Sequence, residues 1–162
     1  RGTAGEMAGS EYLATVHDME AGILPKVNLD AEAALRATLL TAIAEGHIAS
    51  AHDISDGGYA VTLAECCISN GLGAEVLCGT DERVDSALFA ENPGRVIVSC
   101  PSEFDSAELQ RIAAEKGCPC AFQGWVKGNR LRIAFGKDDI PVDVAVDACR
   151  DAWENAIPEV MD

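Results

Sequence analysis

Basic residues are scarce in this chain. Its 162 residues include 12 Lys and Arg against 27 Asp and Glu, which gives a net charge of −15. Such a balance repels nucleic acids and anionic membranes, so neither is an expected partner. Any phosphate bound by this chain would depend on backbone N–H groups, on Mg²⁺ or on basic residues of another domain.

The sequence also lacks a long apolar run. No segment contains the roughly 20 consecutive apolar residues that a membrane-spanning helix needs. The first residues, Arg1–Ala4, contain no hydrophobic region of a signal peptide. We therefore expect a cytoplasmic protein. The absence of an initial Met leads us to expect a piece of a longer polypeptide.

Metal-binding spacings are missing, although the chain has seven cysteines. Cys66 and Cys67 are neighbours on a predicted helix and point about 100° apart, which is unsuitable for a shared ligand pair. Cys118 and Cys120 are separated by one residue instead of two. We expect no metal site, and we expect reduced thiols that pack as small apolar groups.

The heptapeptide HDISDGG, residues 52–58, is the most informative motif that is present. A short apolar run precedes it and a run with helical spacing follows, so a strand-to-helix turn is predicted. Gly57 and Gly58 would let a ligand approach the first free N–H groups of the helix, which suit a phosphate. The alternative is structural: Asp56 would only cap the helix, and His52 would be a buried, hydrogen-bonded imidazole.

A second glycine turn, residues 5–11, is another candidate site. Gly9 and Ser10 would expose N–H groups and a hydroxyl at a helix start, where a phosphate or a carboxylate can bind. The alternative is an ordinary helix capped by Ser10.

The remaining pattern mixes helices and strands. We predict an α+β fold (an α/β sandwich) with a mixed sheet of about four strands flanked by helices. Lys127, Gly128 and Asn129 predict a turn that joins two strands as a hairpin. The buried stripe of the long second helix is predicted to contain Leu35, Leu39, Ala42 and Ile43. Predicted helices cover about 10–17, from 28 or 30 to 46, 57–69, 85–90, from 102 or 105 to 116, and 147–153. Predicted strands cover 48–54, 72–78, 95–100, 121–126, 130–135 and 141–146.

Three segments, HDISDGGYAVTLAE, GEMAGSEYL and LFAENPGRVIVS, resemble phosphoribosylformylglycinamidine synthase, a member of the AIR synthase-related superfamily. The resemblance implies an N-terminal arm at 1–27 and an AIR synthase-like C-terminal domain at 28–162, both from the synthetase subunit. Members of this family usually show Gly-Gly-Ser where this chain has Ala8-Gly9-Ser10.

The resemblance implies a reaction of formylglycinamide ribonucleotide with ATP and glutamine-derived ammonia. ATP activates the formamide oxygen as a phosphate ester, and ammonia then displaces the phosphate. It also implies ATP and Mg²⁺ as cofactors, held mostly by domains absent here, and it implies that the isolated chain is inactive. The implied partners are preceding domains of the same polypeptide, a glutaminase subunit, a small accessory subunit and the ribonucleotide.

The implied site residues fall into two groups. His52 and Asp53 would be catalytic: His52 would form a hydrogen bond or transfer a proton at the reacting centre, and Asp53 would orient His52 or the backbone. The substrate or its phosphate would be bound by Ser55, Asp56, Gly57, Gly58, Gly9 and Ser10. Two other functions stay open. One is a non-catalytic domain that docks a neighbour or closes an auxiliary nucleotide site, and the other is a domain of another superfamily enzyme, such as an ATP-dependent small-molecule kinase.

Overall fold

The computed structural model describes residues 7–79, 83–136 and 138–161, so Gly5 and Glu6 of the second glycine turn lie outside the described residues. Two compact units are present: the first is drawn from Arg1–Thr62 and Asp85–Phe122, and the second from Leu63–Val84 and Gln123–Asp162.

In chain order the elements are α1 (Glu11–His17), α2 (Leu29–Ala44), β1 (Ser50–Asp53), α3 (Gly58–Asn70), β2 (Ala74–Leu77), α4 (Val84–Phe89), β3 (Val96–Ser99), α5 (Glu103–Lys116), β4 (Gly124–Val126), β5 (Arg130–Ala134), β6 (Val142–Ala145), α6 (Val146–Asn155) and α7 (Pro158–Met161). Within the described ranges, no helix combines the length and apolarity that a membrane crossing requires.

Three helices begin at side-chain caps. Ser10 accepts a hydrogen bond from the N–H of Leu13, and Asn28 accepts from the first turn of α2. Ser102 accepts from the N–H of Asp105 at the start of α5. Such caps satisfy N–H groups that have no partner within the helix. The cap predicted at Ser10 is confirmed, and of the two starts predicted for each of the other helices the structure has Asn28 and Ser102.

The second unit contains a four-stranded sheet in the order β4-β2-β5-β6. β2 pairs antiparallel with β4 and parallel with β5, and β5 pairs antiparallel with β6. One face of the sheet is packed tightly, since Leu131 and Ile133 are almost fully buried. The prediction of an α+β fold with a mixed sheet of about four strands is confirmed.

The predicted hairpin at Lys127-Gly128-Asn129 is wrong. β4 and β5 do not pair with each other, because β2 lies between them. The residue before β2, Gly73, donates to the Gly128 carbonyl oxygen and accepts from the Lys127 N–H. A Cβ at Gly73 would overlap backbone atoms of Arg130 and Lys127. The missing side chain therefore lets β2 enter between two strands that are close in sequence.

In the first unit β1 and β3 form a separate two-stranded antiparallel ladder, with Ala51 opposite Val98 and His52 opposite Ile97. The sequence pattern did not separate this ladder from the larger sheet, because periodicity does not specify which strands pair. Helices α2 and α5 supply the core of this unit through Ala42, Leu109 and Ile112, with Val98 packed against them.

The predicted buried stripe of α2 is correct only in part. Ala42 is fully buried, whereas 52% of Ile43 is exposed. Thr38, which was not predicted as part of the stripe, is buried instead of Ile43. The Thr38 hydroxyl donates to the carbonyl oxygen of Ala34. Thr38 precedes Ala42 by one helical turn and so shares its face, while Ile43 lies about 100° further round the helix.

Candidate functional site

The HDISDGG turn connects β1 to α3, as the sequence predicts. His52 and Asp53 are the last two residues of β1, and the Ile54 N–H continues the ladder by donating to the Arg95 carbonyl oxygen at 2.9 Å. The strand therefore fixes the backbone on which the imidazole is mounted. His52 is partly buried, whereas Asp53, Ser55 and Asp56 are exposed.

The His52 ring is held by the backbone of the next residue. Its Nδ1 lies 2.9 Å from the carbonyl oxygen of Asp53. A carbonyl oxygen only accepts hydrogen bonds, so Nδ1 must carry a hydrogen. In the neutral ring the lone pair is then on Nε2, which makes Nε2 the nitrogen that can take up a proton.

Both glycines of the turn are required by the fold. Gly57 and Gly58 have φ values of +81° and +70°. A Cβ on Gly57 would lie 2.6 Å from the Val61 side chain, and a Cβ on Gly58 would lie 2.7 Å from the Phe89 backbone. Positive φ and close packing each disfavour a larger residue, so glycine is explained here without any ligand.

The amides of these glycines already have acceptors. The Gly58 N–H donates to the Ser55 carbonyl oxygen at 3.0 Å, and the Gly57 N–H donates to Glu91 Oε1 at 2.8 Å. In this conformation neither amide faces a ligand. The side chains of Asp53, Ser55 and Asp56 are exposed on the same turn.

The second glycine turn is also internally bonded. Ser10 is 98% buried (2% exposed), and its hydroxyl donates to the Met7 carbonyl oxygen at 2.7 Å while it accepts from the Leu13 N–H. Gly9 has φ +74°, and a Cβ there would lie 2.8 Å from Leu24. In the structure Ser10 caps the helix, which the sequence pattern predicted as the alternative to a ligand site.

Glu91 joins the two turns and was missed by the sequence analysis. Its Oε1 accepts from the Gly57 N–H at 2.8 Å and from the Glu11 N–H at 2.9 Å. The two candidate sites are thus adjacent in the first unit. The only signal for this was an acidic residue shortly after a predicted helix, which is too common to indicate a role.

An aromatic stack lies beside the turns. The Tyr12 and Phe89 rings are parallel with centroids 4.6 Å apart, and the His17 ring meets Tyr12 edge-on at 5.2 Å. Phe89 is also the residue whose backbone contacts Gly58. The stack therefore attaches α1 to the segment that borders the HDISDGG turn.

The turn is electrostatically negative. Residues 50–62 include Asp53 and Asp56 but no Lys or Arg. Among the residues that the structure describes, no three His, Cys, Asp or Glu side chains converge as metal ligands. A phosphate ligand would therefore need positive charge from outside this segment.

A histidine–aspartate pair elsewhere in the first unit has a structural role. His47 Nδ1 lies 2.9 Å from Asp105 Oδ1, and the Ser102 hydroxyl donates to Asp105 Oδ2 at 2.6 Å. The hydrogen bonds from His47 and Ser102 lower the pKa of Asp105. The pair connects the end of α2 to the start of α5, which are the two helices of the core.

The seven cysteines are all free thiols. Cys67 is buried, and desolvation of its thiolate raises the pKa of this thiol to about 11. Burial also raises the pKa of Cys100 and Cys149. A raised pKa leaves little thiolate at neutral pH, so these thiols are poor nucleophiles and poor metal ligands.

Comparisons with known proteins identify relatives of this chain. Residues 2–135 match the family described as AIR synthase related protein, C-terminal domain. The chain is 38% identical over 167 aligned residues to the PurL subunit of phosphoribosylformylglycinamidine synthase from Anaeromyxobacter sp. (strain Fw109-5), covering 97% of this chain and 21% of that subunit. The chain thus spans about a fifth of the length of this curated relative.

Solved structures share the fold. Thermotoga maritima PurL complexed with FGAR superimposes with a TM-score of 0.70 at 20% identity, covering 92% of this chain and 27% of that one. The same protein complexed with ATP gives a TM-score of 0.69 at 22% identity, covering 80% of this chain and 23% of that one. At such identities the likeness establishes a common fold.

Proposed function

This chain belongs to the AIR synthase related family as a C-terminal domain, and on that premise we propose that it serves as this domain in a phosphoribosylformylglycinamidine synthase. The observation that carries the proposal is the 38% identity to a PurL subunit across 97% of the chain. The proposed reaction converts formylglycinamide ribonucleotide, ATP and glutamine-derived ammonia into the amidine, ADP and phosphate. It takes place in the cytoplasm, with further domains, a glutaminase subunit and a small accessory subunit completing the enzyme.

The proposed chemistry has two steps. The formamide oxygen takes the γ-phosphoryl group of ATP, which turns it into a leaving group. The ammonia nitrogen then bonds to the formamide carbon, the C–O bond breaks, and phosphate leaves with the bonding electrons. The nitrogen must lose protons as this happens. A positioned general base can accelerate such a proton transfer by about 10²- to 10⁴-fold.

We assign the proton transfer to His52. Its Nδ1 is held on the Asp53 carbonyl oxygen, so Nε2 of the neutral ring carries the lone pair. Nε2 accepts the proton that the attacking ammonia loses. Asp53 orients the ring through its backbone oxygen, and its exposed carboxylate is therefore not needed for that orientation.

Fewer groups of the turns are available to bind a phosphate than the glycine motif predicts. The Gly57 and Gly58 amides are bonded to Glu91 and Ser55, so they hold the start of α3 in place. Ser55 has an exposed hydroxyl side chain and is the proposed donor to the substrate phosphate. Gly9 and Ser10 contribute by shaping the second turn beside it.

Mg²⁺ fits the described residues only in part. Mg²⁺ is usually bound through one or two carboxylates together with substrate phosphates. Asp53 and Asp56 would each offer one carboxylate, but no group of three ligands converges in the described part of the chain. The bound ion would neutralise phosphate charge, and we propose that most ligands of Mg²⁺ and of ATP belong to other domains.

Isothermal titration of the complete synthetase with formylglycinamide ribonucleotide separates this proposal from a docking role. The Ser55→Ala variant, which lacks the proposed phosphate donor, is titrated in parallel. Weaker binding of the ribonucleotide to Ser55→Ala than to the wild type supports the proposal. A folded Ser55→Ala variant that binds the ribonucleotide as the wild type does favours a domain that only docks.

A further inference from the structure

A single carboxylate oxygen accepts hydrogen bonds from both glycine turns. Glu91 Oε1 bonds the Gly57 N–H, 34 residues away in sequence, and the Glu11 N–H, 80 residues away. The distances of 2.8 and 2.9 Å are those of strong bonds to a charged acceptor. Glu91 thus links the backbones of the two turns.

The residues around Glu91 strengthen this link. Two positions before it, Phe89 stacks on Tyr12 of α1 and lies against Gly58 with its backbone. The intervening Ala90 is almost fully buried, and its N–H donates to the Ser86 carbonyl oxygen. The segment 89–91 is therefore held in place, and it contacts both the HDISDGG turn and the second glycine turn.

From this arrangement we propose that Glu91 is a positioning residue. Its carboxylate holds the HDISDGG turn and the second glycine turn at a fixed separation, so that the two turns act as one site. The inference rests on the proposed function for what that site does. Glu91 acts through the two backbones, since both bonds to its Oε1 come from N–H groups of this chain.

Two substitutions separate geometry from charge. Glu91→Gln keeps a neutral Oε1 that can accept both N–H groups, whereas Glu91→Ala leaves both without that acceptor. Glu115→Ala is the matched control. It also removes a carboxylate from the first unit, but Glu115 pairs with Arg111 on the exposed side of α5.

The bridge itself is tested by amide hydrogen exchange of the 162-residue chain, followed by NMR. The Gly57 and Glu11 amides should be protected in the wild type, in Glu91→Gln and in Glu115→Ala, and both should exchange faster in Glu91→Ala. Protection that stays unchanged in Glu91→Ala at either amide would overturn the inference. This experiment needs no substrate, so it stands even if the proposed function fails.

The functional consequence is tested in the complete synthetase. A misplaced turn lowers kcat/KM by about 10²-fold when reacting groups shift by about 1 Å. We expect a loss of about tenfold or more for Glu91→Ala, with most activity restored in Glu91→Gln and none lost in Glu115→Ala. Equal losses in the Gln and Ala variants, or a wild-type value for Glu91→Ala, would refute the positioning role. If the wild-type synthetase makes no amidine, the proposed function fails instead.

Discussion

Gly58 lies directly against the backbone of Phe89. A Cβ on Gly58 would come within 2.7 Å of the Phe89 carbonyl carbon and 2.8 Å of its Cα. Backbone atoms cannot move aside as the end of a flexible side chain can. The second glycine of the HDISDGG turn is therefore a packing requirement of the first unit, whatever the turn binds.

Gly58→Ala should destabilise the chain far more than Gly117→Ala. Both glycines have φ +70°, so in both variants the alanine must adopt the left-handed conformation, which lowers the free energy of unfolding by about 1–2 kcal/mol. At Gly117 nothing lies within 4 Å of the added Cβ, whereas at Gly58 the methyl group meets backbone. Overpacking adds about 1–3 kcal/mol. Denaturant unfolding of the two variants measures the difference, and equal losses would show that the Phe89 contact is unimportant.

His47→Ala should raise the pKa of Asp105 toward its ordinary value of 3.8, because the His47 hydrogen bond is the largest cause of the lowered value. A carboxyl whose folded-state pKa is depressed stabilises the fold above the unfolded pKa, and this contribution disappears as pH falls through the folded pKa. The stability advantage of the wild type over His47→Ala should therefore shrink below pH 3.8.

NMR titration of the Asp105 side chain, together with unfolding at several pH values, checks this expectation. His17→Ala is the control, since the His17 ring contacts Tyr12 and not Asp105. An Asp105 pKa that stays low in His47→Ala would show that the Ser102 hydroxyl alone accounts for the shift.

Features encoded by neighbouring residues could be predicted from the sequence. The caps at Ser10, Asn28 and Ser102 depend on residues within three positions. Ser10 was predicted directly, and the other two helix starts were predicted to within three residues. The HDISDGG turn was likewise placed between a strand and a helix. Local signals suffice here because the hydrogen bonds that form these structures are local.

Features that depend on distant residues could not be predicted. β4 and β5 look like a hairpin because a turn separates them, yet Gly73 admits β2 between them. The role of Glu91 could not be predicted for the same reason, since the N–H groups that it binds lie 34 and 80 residues away in the sequence. Nothing in the residues beside Glu91 distinguishes it from the other acidic residues of a chain that has 27.

The most direct test is the turnover of His52→Ala in the complete synthetase, measured as amidine formed from formylglycinamide ribonucleotide, ATP and ammonia. We expect a kcat lowered about 10²-fold or more with the thermal midpoint near that of the wild type, because the variant lacks the proposed proton acceptor. His47→Ala, the control, should lose stability through its contact with Asp105 and keep its kcat. If His52→Ala folds normally and keeps the wild-type kcat and KM, the HDISDGG turn is only a structural connection, and the assignment of catalysis to it is contradicted.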